Sequence, residues 1–199
     1  MKEQQPATET LSPWWRRSVV LVFVFGMAVL IFMSVQAYRY APPIPESVVD
    51  SAGKAIFNRQ DIESGQQVFL KYALMQNGSI WGHGSYLGPD FSAAYLHELA
   101  VDIGNAMAQK EFSTHLSALN EDQRSLIDAR VARLLKENRY DPASSQLKFL
   151  DAEKVSYQRQ RQFWTDYFLQ PTTNAGLPSK YINDPEEIRQ LTAFFAWTA

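Results

Sequence analysis

The chain has 199 residues, of which 46% are hydrophobic and 20% charged, enough for one domain of ordinary size and additional segments. This balance argues against a disordered chain, and a net charge of −2 gives no indication of nucleic-acid binding. The chain has no cysteine, which excludes disulfides, cysteine-ligated zinc, iron–sulfur clusters and covalently attached c-type haem.

Residues 18–38 contain no charged side chain and as a helix would span roughly 30 Å, the thickness of a bilayer core. The sequence Trp-Trp-Arg-Arg at 14–17 precedes them, and Tyr-Arg-Tyr at 38–40 closes the run. A cleaved signal peptide and a buried core helix are alternatives, but the run is long for both. We therefore predict a transmembrane helix at 18–38. The excess of lysine and arginine before it predicts a cytoplasmic N-terminus at 1–17.

A proline-rich segment at 41–45 cannot continue this helix and predicts an extended spacer at the start of an extracytoplasmic domain, residues 39–183. Four helical stretches follow. They run over 62–75, over 91–110, from a cap at Asn120 with Gln123 as a partial capping box, and from a cap at Asp151. A short strand is predicted at 147–149. The predicted apolar faces are Ile62, Phe69, Tyr72 and Ala73; Phe91, Tyr95, Leu99, Ile103 and Met107; Leu126, Ile127, Val131, Leu134 and Leu135; and Val155, Phe163, Trp164 and Tyr167.

The last segment begins with a strong helix-start signal, Asp184 followed by Pro185 and two glutamates. It then becomes apolar from Leu191 onward. An amphipathic helix that docks on the domain is one interpretation, and a second membrane span that begins here is the other. Because no helix stop follows, we predict that residues 184–199 are the start of a second transmembrane helix.

A glycine-rich loop at 78–91 stands apart from the helices. Its glycines permit unusual backbone angles and close approach of another surface. His83 within it could bind a metal, carry a proton or form an interface hydrogen bond, whereas His97 and His115 are expected at the surface. Asp90 is expected to cap the next helix. No nucleophile or phosphate-binding motif is present, so the loop is predicted to be a docking surface rather than an active site.

Residues 65–70, 78–91 and 95–97, together with Asn138-Arg139-Tyr140 and residues 194–199, resemble the N-terminal region of quinol-dependent nitric oxide reductases. The resemblance implies a mainly α chain: a membrane helix followed by a haem-free, cytochrome c-like domain in the periplasm. The full enzyme would be a member of the haem–copper oxidase superfamily in the bacterial inner membrane. It would reduce two nitric oxide molecules to nitrous oxide and water with electrons from quinol.

The cofactors implied by the resemblance are haem b, haem b3, non-haem iron and calcium, with the iron ligands on later membrane helices. Gly84 and Tyr86 match a stretch that helps to bind calcium in related enzymes, so they are possible calcium-site residues in the full protein only. Ala73 occupies a position where the family leads us to expect glycine. This segment would have a structural role, with the bilayer and the remaining membrane helices as its partners, and we assign no catalytic residue.

Two other functions remain open. The chain could be a complete single-span protein with an extracytoplasmic binding or sensing module. A haem or metal carrier is a weaker alternative, because the three histidines are not at ligand spacing.

Overall fold

The computed structural model describes residues 12–170 and 174–199, in two compact units that divide between Pro43 and Ile44. The first unit contains helix α1, Pro13–Arg39, which begins one residue after the cap Ser12 and is longer than the predicted 18–38. It exposes apolar side chains on all sides and buries no residue. Within the described residues, α1 is the one helix with the length and composition to cross a membrane, which indicates a membrane anchor.

The second unit is mainly helical, as predicted. Its helices are α2 (Arg59–Lys71), α3 (Phe91–Phe112), α4 (Glu121–Leu135), α5 (Asp151–Leu169) and α6 (Pro185–Thr198). Short 3-10 helices lie at Leu74–Gln76 and Leu116–Ala118. The predicted spacer is correct only as far as Pro43, because Pro45 is buried in this unit.

Capping side chains set the helix starts. Asn58 and Asp61 form a reciprocal capping box, so α2 begins three residues before the predicted Ile62. The predicted box of Asn120 and Gln123 is confirmed at the start of α4. Asp151 as a cap is wrong: the cap position of α5 is Leu150, whose backbone N–H donates to Glu153.

Helix α2 ends at Lys71 rather than at Met75 because the chain reverses just after it. Ala73 adopts a left-handed conformation with φ 48° and ψ 40°. This is the position after a helix where glycine is preferred, since any Cβ is crowded there. The left-handed backbone conformation therefore explains why the family resemblance leads us to expect glycine at this position.

A small four-stranded sheet packs beside the helices. Strand β1 (Ser47–Val49) pairs antiparallel with β2 (Ala55–Asn58) and parallel with β6 (Gln146–Lys148), which in turn pairs antiparallel with β5 (Tyr140–Asp141). The strand order across the sheet is therefore β2-β1-β6-β5. The strand predicted at 147–149 is confirmed, but it begins and ends one residue earlier than predicted. The other strands, of two to four residues, are too short to show an alternating pattern.

The core lies where α2 crosses α6, against α3 and α5. At the crossing, a Cβ on Gly65 would lie 2.1 Å from the carbonyl oxygen of Gln190, so only glycine lets the two backbones approach this closely. Beside it, the rings of Phe91 and Phe195 stack with centroids 4.9 Å apart, and Trp164 packs edge-on against Phe195. Aromatic rings fill the interior of the domain.

Most of the predicted apolar faces are buried, but four members were assigned wrongly: Ala73, Leu126, Val155 and Phe163 are exposed. Ala73 lies beyond the end of α2, and the faces of α4 and α5 that contact the core are centred on Ile127 and Trp164. In α6, Leu191 and Phe195 are fully buried in the domain, as the docking interpretation requires. That residues 184–199 also start a membrane span stays a prediction.

Candidate functional site

The glycine-rich loop forms a two-stranded hairpin between α2 and α3. Strand β3 (Ser79–Ile80) pairs with β4 (His83–Gly84) across the two-residue turn Trp81-Gly82. Both turn residues have positive φ, 52° and 75°, as in the turn type that matches the twist of a hairpin. Asparagine or glycine is usual at the first turn position, so Trp81 is held there by contacts made elsewhere in the domain.

Two glycines allow the hairpin to lie directly against the preceding chain. A Cβ at Gly84, which has φ 144°, would lie 2.4 Å from the carbonyl oxygen of Gly78. A Cβ at Gly78 would lie 2.2 Å from the carbonyl oxygen of Pro89. The glycines therefore hold three chain segments at backbone contact distance, and the loop is compact.

The carboxylate of Asp90 organises the base of the hairpin. It caps α3 by accepting from the N–H of Ala93, at 2.9 Å, and it accepts from the hydroxyl of Ser92. It also accepts from the hydroxyl of Ser79, at 2.8 Å, and from the N–H of Gly82, at 2.6 Å. Partial burial raises the pKa of Asp90, but these hydrogen bonds outweigh it and lower the pKa to about 2. The predicted cap is confirmed, and Asp90 also fixes the turn.

Trp81 links the loop to the last helix. Its indole N–H donates to the carbonyl oxygen of Thr198, at 2.6 Å, and its ring lies 6.0 Å from that of Trp197. Its backbone N–H donates to the hydroxyl of Ser92, at 3.1 Å. Sequence reasoning did not find this link because the two ends are more than 100 residues apart.

At the other side of the loop, Asn77 is buried and connects three segments. Its side-chain oxygen accepts from the hydroxyl of Tyr167 in α5, at 3.1 Å, and its side-chain amide donates to the carbonyl oxygen of Ala175, at 3.2 Å.

Large apolar side chains stand outward from this fixed backbone. Tyr86 is 86% exposed and Leu87 75% exposed, and Trp81 leaves half of its surface uncovered. Leu70 and Met75 are also exposed, and with Trp81 they border an open groove of about 260 Å³. We call the exposed side chains of Leu70, Met75, Trp81, Tyr86 and Leu87 the loop surface.

The three histidines lie apart. His83 is exposed in β4 and borders the groove, whereas His97 on α3 and His115 after it are exposed at the surface, as predicted. In the part of the chain that the structure describes, no three histidine or acidic side chains gather as a metal site would require.

Gly84 and Tyr86, the possible calcium residues, lie two positions apart on the exposed side of the hairpin. The hydroxyl of Tyr86 is 3.5 Å from the carbonyl oxygen of Gly82. Calcium requires six to eight oxygen ligands, and the carboxylate of Asp90 is already committed to four donors. The described residues of this chain therefore do not fit a complete calcium site.

Comparison with known families identifies the domain. Residues 45–199 match the family model of the cytochrome c-like domain of the nitric oxide reductase protein NorB. No curated protein matches the chain. The match covers more than half of the chain and the whole of the helical unit from Pro45 onward, so this chain belongs to the NorB family of nitric oxide reductases and carries the cytochrome c-like domain of that family.

Proposed function

We propose that this chain is the N-terminal, membrane-anchored segment of a quinol-dependent nitric oxide reductase. Helix α1 anchors it in the bacterial inner membrane, with the cytochrome c-like domain in the periplasm. The complete enzyme converts two nitric oxide molecules, two electrons from quinol and two protons into nitrous oxide and water. The segment has a structural role: the domain caps the periplasmic face of the catalytic core.

The observation that carries this role is the loop surface. Trp81, Tyr86 and Leu87 present apolar area to solvent, which soluble monomers rarely concentrate in one place. Their backbone is held by Asp90 and by the link from Trp81 to Thr198. A rigid loop with exposed aromatic side chains favours a protein interface, because little conformational entropy is lost on docking.

The cofactors belong to the remainder of the enzyme in this proposal. Haem b, haem b3 and the non-haem iron would be bound by the later membrane helices, and calcium would need ligands from the same helices in addition to Gly84 and Tyr86. The residues of this chain orient and shield that core, and none of them touches the reacting atoms.

The first test compares nitric oxide consumption with reduced quinol in membranes that contain this chain alone and in membranes that contain the chain extended by its downstream sequence. We expect turnover and a b-type haem spectrum only with the extended chain. Neither haem nor turnover in the extended form, despite good expression, would contradict the proposal and favour an anchored binding or sensing module.

The second test examines the loop surface in the extended enzyme. Leu87→Ser and Tyr86→Ser change exposed side chains, so the domain should still fold while its docking on the core weakens, with loss of haem retention and activity. Val155→Ser is the matched control, because Val155 is 63% exposed but lies on α5, outside the loop. Equal behaviour of the three variants would contradict the docking role.

A further inference from the structure

The start of helix α1 combines two arginines with an apolar face. We propose that Arg16 and Arg17 bind the phosphate of an anionic phospholipid, whose acyl chain lies along Val20, Leu21 and Val24. This inference goes beyond the proposed function and shares with it only the membrane span of α1.

The positions of these residues support a phospholipid rather than a soluble anion. Residues 16, 17, 20, 21 and 24 recur at three- and four-residue intervals, so they share one side of the helix. They border the same open groove along α1, together with Pro13 and Trp15. A phosphate held by the arginines would therefore be followed directly by an apolar track, which matches the shape of a lipid.

The two arginines have no acidic neighbour within α1 itself. The sequence contains no acidic residue between Glu9 and Glu46, so no carboxylate within α1 can pair with Arg16 or Arg17. The guanidinium of Arg17 lies over the ring of Trp14, 5.5 Å from its centroid, which keeps it at the depth of the interfacial aromatic residues. Guanidinium groups bind phosphate through paired hydrogen bonds, so two adjacent arginines suit a phosphodiester headgroup.

The other end of α1 provides an internal comparison. Arg39 is a single arginine between Tyr38 and Tyr40, and Pro42 and Pro43 follow within four residues. The same helix therefore has basic residues at both ends, and only the first end has an arginine pair continuous with an apolar face.

The test reconstitutes the full chain in phosphatidylcholine vesicles that contain a small fraction of brominated lipid, either phosphatidylglycerol or phosphatidylcholine with bromine at the same acyl position. Bromine quenches nearby tryptophan, and Trp14 and Trp15 lie beside the proposed site. Two basic side chains should give a preference on the order of tenfold for the anionic lipid at low salt, decreasing at high salt. The double variant Arg16→Gln/Arg17→Gln should lose this preference, and the control Arg39→Gln should keep it.

Equal quenching of the wild-type chain by both lipids would overturn the proposal, as would an unchanged preference in the double variant. Flotation of every variant with the vesicles is measured in parallel. A chain that does not float would overturn both the membrane anchor and the lipid site, whereas flotation with equal quenching would overturn the lipid site alone.

Discussion

Helices α1 and α6 begin alike and end in different surroundings. Each starts with a proline directly after a capping side chain, Ser12 for α1 and Asp184 for α6, and each continues into aromatic and aliphatic residues. Every side of α1 is exposed, whereas every residue of α6 from Leu191 to Phe195 is buried in the domain core. A helix that is apolar all round requires a lipid or protein environment, and the domain itself supplies that environment to the second half of α6.

The polar residues of α6 make the difference between the two helices. Arg189 donates to Asp61 of α2 at 2.6 Å, and Glu187 accepts from Lys71 and from the hydroxyl of Tyr72 at the end of the same helix. These contacts lie in the first half of α6 and orient the helix across α2, so its apolar second half enters the interior. Helix α1 has no acidic residue and makes no such ion pairs within its own span.

The sharpest test of this comparison removes one phenylalanine from each helix. Phe195→Ala in α6 deletes a fully buried ring that stacks on Phe91, and we expect a loss of about 3–5 kcal/mol in the free energy of unfolding. Phe25→Ala in α1 should leave domain unfolding unchanged, because Phe25 is exposed. Urea unfolding of the chain in detergent, followed by tryptophan fluorescence, measures both. Equal losses would mean that the domain depends on α1.

The second test adds one methyl group at a glycine of each unit. Gly65→Ala places a Cβ against the backbone of Gln190, which cannot move without shifting α6, so we expect a loss of about 1–3 kcal/mol. Gly26→Ala in α1 meets no atom within 4 Å and should not change domain unfolding. A neutral Gly65→Ala would contradict the close crossing of α2 and α6.

The third test uses pH, because the domain contains carboxylates with lowered pKa values and α1 contains none. The pKa of Asp90 is about 2 in the folded state and 3.8 in its ordinary range, so its stabilising effect is complete above the ordinary value and is lost as pH falls toward 2. Since Asp90 is partly exposed, the effect is about 1 kcal/mol. The difference in unfolding free energy between wild type and Asp90→Asn should therefore shrink as pH falls from about 4 to about 2, the interval between the two pKa values. A difference independent of pH would contradict this role, and the helical signal of α1 should not change over the same range.

The smallest expected effect has the opposite sign. Ala73→Gly relieves the left-handed conformation after α2 and should stabilise the domain by about 0.5–1 kcal/mol. Ala106→Gly, in the exposed middle of α3, should destabilise it by a similar amount, about 1 kcal/mol, because glycine is a poor helix former. The same change at Ala28 in α1 should not affect domain unfolding. Thermal denaturation compares the three variants, and a loss of stability at Ala73 would contradict the backbone argument.

Much of the fold could be predicted from sequence because its signals are local. The capping box of Asn120 and Gln123 and the helix start at Asp184 are each contained within a few residues. The sheet could not be predicted in the same way, because β1 pairs with β6 almost 100 residues later and neither strand has a periodic pattern of its own. Exposed Val155 was assigned to a buried face because the spacing of apolar residues does not show where the centre of a contact lies.

The candidate site divides similarly. Asp90 as a helix cap and the glycine-rich loop as a compact, exposed segment were predictable from residue type and position. Two sets of contacts were not predictable: the hydrogen bonds that Asp90 accepts from Ser79 and Gly82, and the hydrogen bond from the indole of Trp81 to the carbonyl oxygen of Thr198. Both depend on how the hairpin folds back onto the domain.

By itself, the sequence determined the apolar character of α1, the starts of α3, α4 and α6, and the resemblance to nitric oxide reductases. Those properties depend on the composition and order of neighbouring residues. Only the tertiary structure decided that the apolar residues of α6 lie in the domain core, that the loop is held by Asp90 and Trp81, and that Tyr86 and Leu87 remain uncovered. Burial is a property of surfaces that meet in space, and residues distant in sequence supply those surfaces.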